Sequence, residues 1–270
     1  MPKPSNSNKY HLLTPISHLF NDPIAASQIA SASDYLEGRE RTITKRFSKT
    51  SHYHIDFDLN IGLSDEQLDF LARHIAEKEE AQVVTFQVAR DCERVQLLNG
   101  AYQPTSQVIS FKEQLENVRN SLKQIRKILG TDIEIGVENN NYYPTGAYDI
   151  CSSADFLRAL IEENDLHLLF DIAHAKVTCK NRNIDYASYK NQLLELDCRQ
   201  IHLCEPLIPE NSDALALDSH KLPTTESILE ADNICTTHGI RYLTIEYYKD
   251  VDLLLDCLNS IRDLRKNDQQ

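Results

Sequence analysis

The chain has no tryptophan, one methionine and seven glycines, and it lacks any long apolar run. A membrane-spanning helix needs about 20 consecutive apolar residues, so we expect no membrane partner. The opening residues, MPKPSNSNKY, lack the apolar core of a signal peptide. We therefore expect a cytoplasmic protein.

Positive charge is scarce as well. The chain has 28 lysines and arginines against 41 aspartates and glutamates, which gives a formal net charge of -13. Such a balance makes attraction to nucleic acid or to an anionic membrane surface unfavourable overall. The composition therefore predicts no nucleic-acid partner, although bound cations could reverse the sign near a site.

The seven cysteines are scattered and form no C-x-x-C pair. An odd, scattered set signals neither a disulfide framework nor a zinc ribbon. We expect reduced thiols in the core.

Short β-rich runs alternate along the chain with longer segments of helical spacing. The predicted strands are residues 10–16, 53–59, 82–88, 132–138, 167–171, 200–204 and 242–247. The predicted helices are residues 64–79, 111–129, 153–164, 186–196, 225–238 and 251–265. An eighth strand is expected in the polar segment 21–51, around "RTITKRF". This alternation predicts an α/β fold, a TIM (β/α)8-type barrel. We expect one catalytic barrel domain over residues 10–265, after a polar tail of residues 1–9.

Side chains that can bind metals stand at the carboxyl ends of the predicted strands or just after them. They are His54 in "HYHIDF", Glu138 in "IEIGVENN", Asp171 and His174 in "LLFDIAH", His202 in "RQIHLCEP", Asp218 and His220 in "LALDSHKLP", and Glu246 in "YLTIEYY". In a parallel barrel these ends converge on one mouth. Buried carboxylates and imidazoles are costly to charge, and divalent cations would remove that cost. The set therefore predicts a metal centre, of a kind that suits iron, manganese or zinc.

The order of these residues is similar to the metal-binding series of xylose-isomerase-like barrels, including the endonuclease IV family. From His54 onward the context more closely resembles the multinuclear non-haem iron-dependent oxidative enzymes, the family of the methanobactin-biosynthesis oxidase. The segments that match motifs of that family are, in order, "HIDFDLNIG", "VENNNYY", "LFDIAHA", "IHLCEP", "DSHKLP" and "TIEYY". The resemblance covers roughly residues 50–250 and implies a xylose-isomerase-like barrel.

The resemblance implies two iron ions per chain, or three if a position beside His54 is used, with zinc or manganese as alternative metals. The implied ligands of the two irons are Glu138, Asp171, His174, His202, Asp218, His220 and Glu246. Of these, Glu138, His174 and Glu246 are the candidate catalytic residues. The family has a second early histidine where this chain has Gln87, a poor ligand, so a third site is expected to be weakened or lost.

Four further residues are candidate substrate contacts, namely Gln87, Asn139, Tyr142 and Lys176. Cys204 lies two residues after His202, and therefore on the same face of an extended strand. We interpret Cys204 as a core or supporting thiol rather than a ligand.

By this resemblance the expected activity is dioxygen-dependent modification of a peptide cysteine or a small thiol, with a possible partner protein that presents the peptide. The iron would carry the redox chemistry. Alternatives are metal-dependent phosphodiester hydrolysis as in endonuclease IV, sugar isomerisation or epimerisation with one divalent ion, and a non-enzymatic metal-binding subunit. The negative charge and Gln87 count against the hydrolase, and Asp218 and His220 count against the isomerase.

Overall fold

Eight parallel strands close into a barrel within the part of the chain that this computed structural model describes, residues 10–211 and 214–267. In chain order the strands are β1 (His11–Pro15), β2 (Tyr35–Arg39), β3 (Thr50–Asp58), β4 (Val83–Gln87), β5 (Val95–Leu98), β6 (Ala101–Pro104), β7 (Glu134–Glu138), β8 (His167–Asp171), β9 (Cys198–Leu203), β10 (Glu205–Leu207), β11 (Leu217–Lys221) and β12 (Tyr242–Ile245). Neighbours around the barrel are β1, β2, β3, β4, β7, β8, β9 and β12, and β12 pairs with β1 to close it. The predicted tail, residues 1–9, lies outside the described residues.

Helices connect the strands and cover the barrel. They are α1 (Pro23–Ala32), α2 (Asp65–His74), α3 (Phe111–Leu129), α4 (Ala154–Asn164), α5 (Ile172–Arg182), α6 (Tyr186–Leu194), α7 (Thr225–His238) and α8 (Val251–Asn267). The closed parallel barrel confirms the predicted TIM fold. No helix in the described ranges is long and apolar enough to cross a bilayer.

The eighth strand lies within the expected segment 21–51, but its placement around "RTITKRF" was wrong. That segment forms a 3-10 turn followed by further turns, whereas the strand is β2, a few residues earlier. The sequence of the short strand β2 is largely polar. Its alternate residues Glu37 and Arg39 face the barrel mouth, while Leu36 packs in the core. Charged inward residues hide a strand from an analysis based on apolar runs.

Helix α5, which contains His174, was not among the predicted helices. The helix begins immediately after β8. Seven of its eleven residues are buried, and these seven are distributed around the helix axis. A helix without a separate polar face lacks the periodicity that identifies amphipathic helices. By contrast, the amphipathic α3 has the predicted bounds.

Two additional strand pairs project from the carboxyl end of the barrel. The antiparallel pair β5–β6 follows β4, and the antiparallel pair β10–β11 follows β9. Both replace what would otherwise be short loops at the end of a barrel strand. They therefore build up the rim of the mouth on two sides.

The barrel interior changes from apolar to charged along its axis. Leu13, Val83 and Tyr242 form a small cluster at the amino-terminal end, separate from the main core between strands and helices. One layer higher, the Gln200 Nε2 amide donates to Glu37 Oε2 at 2.6 Å and to Thr244 Oγ1 at 2.9 Å. The barrel is thus closed at its base and polar at its mouth.

Gly136 shows how tightly this interior is packed. It pairs with His167 across β7 and β8, and a Cβ at Gly136 would overlap the His167 imidazole. We expect Gly136→Ala to lower the free energy of unfolding by about 1–3 kcal/mol through overpacking. The same change in a His167→Ala background should cost little, because the imidazole is gone. Urea unfolding followed by far-ultraviolet circular dichroism measures this cycle, and equal costs in both backgrounds would contradict the packing argument.

Candidate metal centre

Strand ends and the first turn of α5 surround an open cavity of about 330 Å³ at the barrel mouth. The predicted ligands that line it are His54, Glu138, His174, Asp218, His220 and Glu246. Asp171 and His202 are fully buried and lie against this set. The structure therefore brings all eight predicted ligands together from distant parts of the sequence.

Asp171 and His174 belong to one local structure, the amino-terminal cap of α5. Asp171 Oδ1 accepts the His174 backbone N–H at 2.7 Å, which satisfies an otherwise unpaired amide at the helix start. The His174 Nδ1 nitrogen lies 2.9 Å from the Asn139 carbonyl oxygen. Its Nε2 nitrogen faces Asp218 Oδ2 at 3.5 Å and Asp171 Oδ2 at 3.9 Å. With the D-x-x-H spacing, Asp171 Oδ2 and His174 Nε2 are therefore left facing each other at the barrel mouth.

His202 is oriented by a carboxylate that the sequence analysis did not identify. Its Nε2 lies 3.0 Å from Glu37 Oε2, and both side chains are fully buried. Its Nδ1 lies 3.0 Å from Glu138 Oε1 and 3.3 Å from Glu246 Oε1. A carboxylate on the far ring nitrogen is the usual way in which proteins orient a metal-binding histidine.

Gln87 occupies the space between His54 and Glu138. Its Nε2 lies 2.7 Å from His54 Nε2 and 2.5 Å from Glu138 Oε2, while its Oε1 accepts from the Asn140 amide at 2.7 Å. A side-chain amide nitrogen is a hydrogen-bond donor and not a metal ligand. This placement gives a physical reason to expect a weak third metal position beside His54.

Glu246 connects the opposite wall of the cavity. Its Oε1 is contacted by the Arg39 guanidinium and lies 3.2 Å from the Tyr248 hydroxyl. Its Oε2 faces His220 Nε2 at 3.3 Å. Asp218 Oδ1 lies 3.4 Å from the other His220 nitrogen. Arg39 also pairs with Glu37 Oε1 at 2.8 Å, so one guanidinium holds two carboxylates.

The mouth contains more negative charge than its own cations balance. Five largely buried carboxylates, Glu37, Glu138, Asp171, Asp218 and Glu246, face one buried guanidinium, Arg39. With neutral histidines, four negative charges remain, and the more exposed Asp56 and Arg41 cancel each other. Two divalent cations carry the charge that would balance this excess.

The pKa values of the site reflect the same imbalance. Burial raises the pKa of Asp171 to about 6. Burial alone would lower the pKa of His174, but Asp171 and Glu138 raise it well above its usual value. Burial also acts to raise the pKa of Glu138, yet His54 and His174 reduce it below the usual range. Protonated histidines and bound cations are thus alternative ways to stabilise the same carboxylates.

The donor atoms suit divalent metals. Asp171 Oδ2, His202 Nδ1 and Asp218 Oδ1 are buried and make no well-oriented hydrogen bond among the described residues, although His202 Nδ1 lies near the Glu138 and Glu246 carboxylates and Asp218 Oδ1 lies near His220. Potential ligand atoms lie within 4.8 Å of one another in overlapping groups, which are His54–Glu138–His202, Glu37–His202–Glu246, Glu138–Asp171–His174 and Cys204–His220–Glu246. Buried unpaired oxygen and nitrogen atoms are costly, and metal coordination would satisfy them.

Three of the four candidate substrate contacts do not line the cavity. The Lys176 ammonium lies 3.2 Å from Glu230 Oε2 on α7, and Arg182 stacks on the Tyr142 ring. The Asn139 side chain accepts a hydrogen bond from the Asp171 backbone N–H at 2.8 Å and donates one to the Asp171 carbonyl oxygen at 3.0 Å. It therefore fixes the backbone of a ligand residue. These placements do not support substrate contacts by Lys176, Tyr142 or Asn139. Gln87 does line the cavity.

Glu37, Arg39 and Tyr248 were missed by the sequence analysis, although all three contact the ligand set. Glu37 and Arg39 lie at the carboxyl end of the misplaced strand β2. The signal that could have identified them is the alternation in "DYLEGR". In an extended strand, Glu37 and Arg39 lie on one face and Leu36 lies on the other.

The sequence itself decides the family. Residues 106–267 match the sequence model of the family described as "RiPP precursor modification enzyme MbnB/TglH/ChrH". The chain belongs to this family. It is also 29% identical over 132 residues to a UPF0276 protein from Acaryochloris marina, and that match covers 48% of this chain and 46% of the relative. The chain therefore matches about half the length of this curated relative.

Solved structures with the same barrel have other printed activities. The 3-keto-D-glucoside 4-epimerase of E. coli aligns with a TM-score of 0.63 and 13% identity, over 94% of this chain and 100% of its own. Endonuclease IV from Thermus thermophilus aligns with a TM-score of 0.59 and 12% identity, over 95% and 99%. At these identities the likeness concerns the fold alone, which is xylose-isomerase-like. An MbnB/TglH/ChrH member thus shares its architecture with epimerases and an endonuclease.

Glu37 offers a test of how this MbnB/TglH/ChrH family member orients its histidine. We expect Glu37→Gln to weaken metal binding by about 10–100-fold, because the charge behind His202 is lost while the shape is kept. Competition with a chromophoric chelator measures the affinity. Glu134→Gln, at the other end of the barrel, is the matched control. Unchanged affinity in Glu37→Gln would show that Glu37 does not support His202.

Gln87 offers a second test. We expect Gln87→His to raise the number of bound metals by one per chain, because an imidazole acceptor would replace the amide beside His54 and Glu138. Elemental analysis after loading with ferrous iron measures the number. Gln82→His adds a histidine just before the opposite end of β4 and should leave the number unchanged. An unaltered count in Gln87→His would refute the view that Gln87 blocks a metal position.

Proposed function

We propose that the chain is a multinuclear, di-iron, non-haem oxidative enzyme that uses dioxygen to modify a cysteine of a peptide. The family supports a peptide substrate, since its members are described as RiPP precursor modification enzymes. The proposal treats residues 10–265 as one catalytic barrel domain and includes a partner protein that presents the peptide. A small thiol is the alternative substrate.

The observation that carries the proposal is a pair of ligand groups on opposite walls that meet at His202. Glu138 belongs to a group with Asp171 and His174, and on the other wall Glu246 Oε2 faces His220 Nε2 at 3.3 Å. His202 Nδ1 lies close to both carboxylates, 3.0 Å from Glu138 Oε1 and 3.3 Å from Glu246 Oε1. Two carboxylate–histidine groups on either side of one histidine favour two adjacent metals over one, and the four uncompensated negative charges match two divalent ions.

Glu138, His174 and Glu246 are the catalytic residues in this proposal. All three line the open cavity, so they would hold the metals where a substrate can reach them. Iron, when bound, would supply the one-electron and dioxygen chemistry that amino-acid side chains lack. The chain's own residues fix the donor atoms, and the exposed Arg41 places a positively charged guanidinium at the cavity wall. Such charge would orient the carbonyl groups of a peptide next to its cysteine.

A second cavity supports an extended substrate. It has a volume of about 420 Å³ and shares Arg41, Asp56, Gln87, His174 and Asp218 with the first. Its other walls combine aromatic and apolar side chains with the amides of two asparagines, and its lining includes Leu97, Tyr102, Tyr143, Tyr148, Asn140 and Asn141. Amides that can bind a peptide backbone beside apolar surface suit a polypeptide better than a free sugar.

Metal content is the first test of the proposal. We expect protein purified without oxygen to contain two irons per chain. Asp171→Ala should lose at least one of them, because it removes a fully buried ligand. Elemental analysis and the absorption spectrum measure both values. Zinc alone at full occupancy would contradict the proposal and favour a hydrolase, and a single manganese with turnover of a ketose would favour an isomerase.

Dioxygen uptake tests the chemistry separately from the metal. We expect the iron-loaded protein, with its partner protein, to consume dioxygen with a cysteine-containing precursor peptide and not with the same peptide carrying serine in place of cysteine. Mass spectrometry of the peptide measures the product. Equal uptake with both peptides would exclude the cysteine as the reacting group.

A further inference from the structure

Cys204 is the cysteine that, among the described residues, joins a cluster of potential metal ligands. Its sulfur, a ring nitrogen of His220 and a carboxylate oxygen of Glu246 all lie within 4.8 Å of one another. The Cys204 side chain is 1% exposed, so this sulfur faces the site and not solvent. The other cysteines belong to no such group, and they are Cys92, Cys151, Cys179, Cys198, Cys235 and Cys257.

The fold brings these three residues together from adjacent elements. Cys204 directly follows β9, and Glu246 directly follows β12, which pairs with β9 in parallel through Leu203 and Ile245. The β10–β11 pair then folds β11, which carries His220, back over the end of β9. Cys204 continues the inward series of Gln200 and His202 along the strand.

Two of the three donor atoms of this group face each other. Glu246 uses Oε1 for Arg39 and Tyr248, which leaves Oε2 facing His220 Nε2 at 3.3 Å. Two atoms that bind one zinc ion tetrahedrally at about 2.1 Å would be roughly 3.4 Å apart. The observed separation therefore suits a shared metal.

His220 is also held in an unusual backbone conformation. Its φ is +41°, in the left-handed region that only a few per cent of non-glycine residues adopt, with histidine, asparagine and aspartate enriched among them. Such a conformation is strained and persists where the surrounding structure imposes it. Here it accompanies the placement of the imidazole beside Glu246.

We propose that Cys204, His220 and Glu246 form a metal subsite in which the Cys204 sulfur is a ligand. A thiolate with an imidazole and a carboxylate suits zinc or iron and distinguishes this subsite from the oxygen- and nitrogen-only groups around Glu138. This revises the interpretation of Cys204 as a core thiol. The inference rests on metal binding at the mouth but not on oxidative chemistry.

Cobalt substitution tests the subsite without an activity measurement. Metal-free protein is loaded with Co²⁺ in the absence of oxygen, and the bound metal is counted. We expect a near-ultraviolet band from sulfur-to-cobalt charge transfer, lost in Cys204→Ala and kept in Cys198→Ala. Cys198 lies on the same strand at its opposite end, so it is a matched control.

Zinc-edge X-ray absorption on the wild-type protein provides a second measurement that needs no variant. A sulfur shell at about 2.3 Å supports the subsite, and a shell of only nitrogen and oxygen overturns it. Bound cobalt without the charge-transfer band overturns the role of Cys204 while leaving the di-iron proposal intact. A wild-type protein that binds no metal at all overturns both.

Discussion

Buried negative charge at the barrel mouth is the constraint on which the rest of the site depends. Carboxylates are costly to remove from water, and here several lie within a few ångströms of one another. Each has a specific counterpart in the protein. Arg39 contacts Glu37 and Glu246, and the start of α5 donates to Asp171. What these contacts leave uncompensated defines the ions that the mouth can accept.

The barrel is well suited to concentrate charge in this way. Its base is closed by apolar and aromatic side chains, with the His52 and Tyr242 rings 4.1 Å apart, and its charged groups lie at the mouth. Alternate parallel strands deliver inward residues to the same level, so side chains from distant parts of the sequence meet there. An epimerase and an endonuclease share this architecture, so the fold by itself does not determine the reaction.

The sequence allowed the fold and the assembly of eight side chains to be predicted because both depend on local patterns. Asp171 and Glu246 follow largely apolar runs that end where a parallel barrel needs polar groups. Glu37 could not be recognised in the same way, since its strand has no apolar run and its importance lies in a contact with His202. Lys176 lies two residues after His174 in sequence, and this proximity suggested that it faces the site. In helix α5, however, its ammonium group is directed toward Glu230.

Asp171 links the stability of a helix to the chemistry of the mouth. One of its oxygens caps α5, and the other lies unpaired in the site. These two tasks make different demands, because an amide oxygen caps a helix as well as a carboxylate does but contributes no charge. Evolutionary drift from aspartate to asparagine would therefore preserve the helix and the barrel while removing a ligand. Inactive descendants of such an enzyme can keep its architecture intact, and shape alone would not reveal their loss.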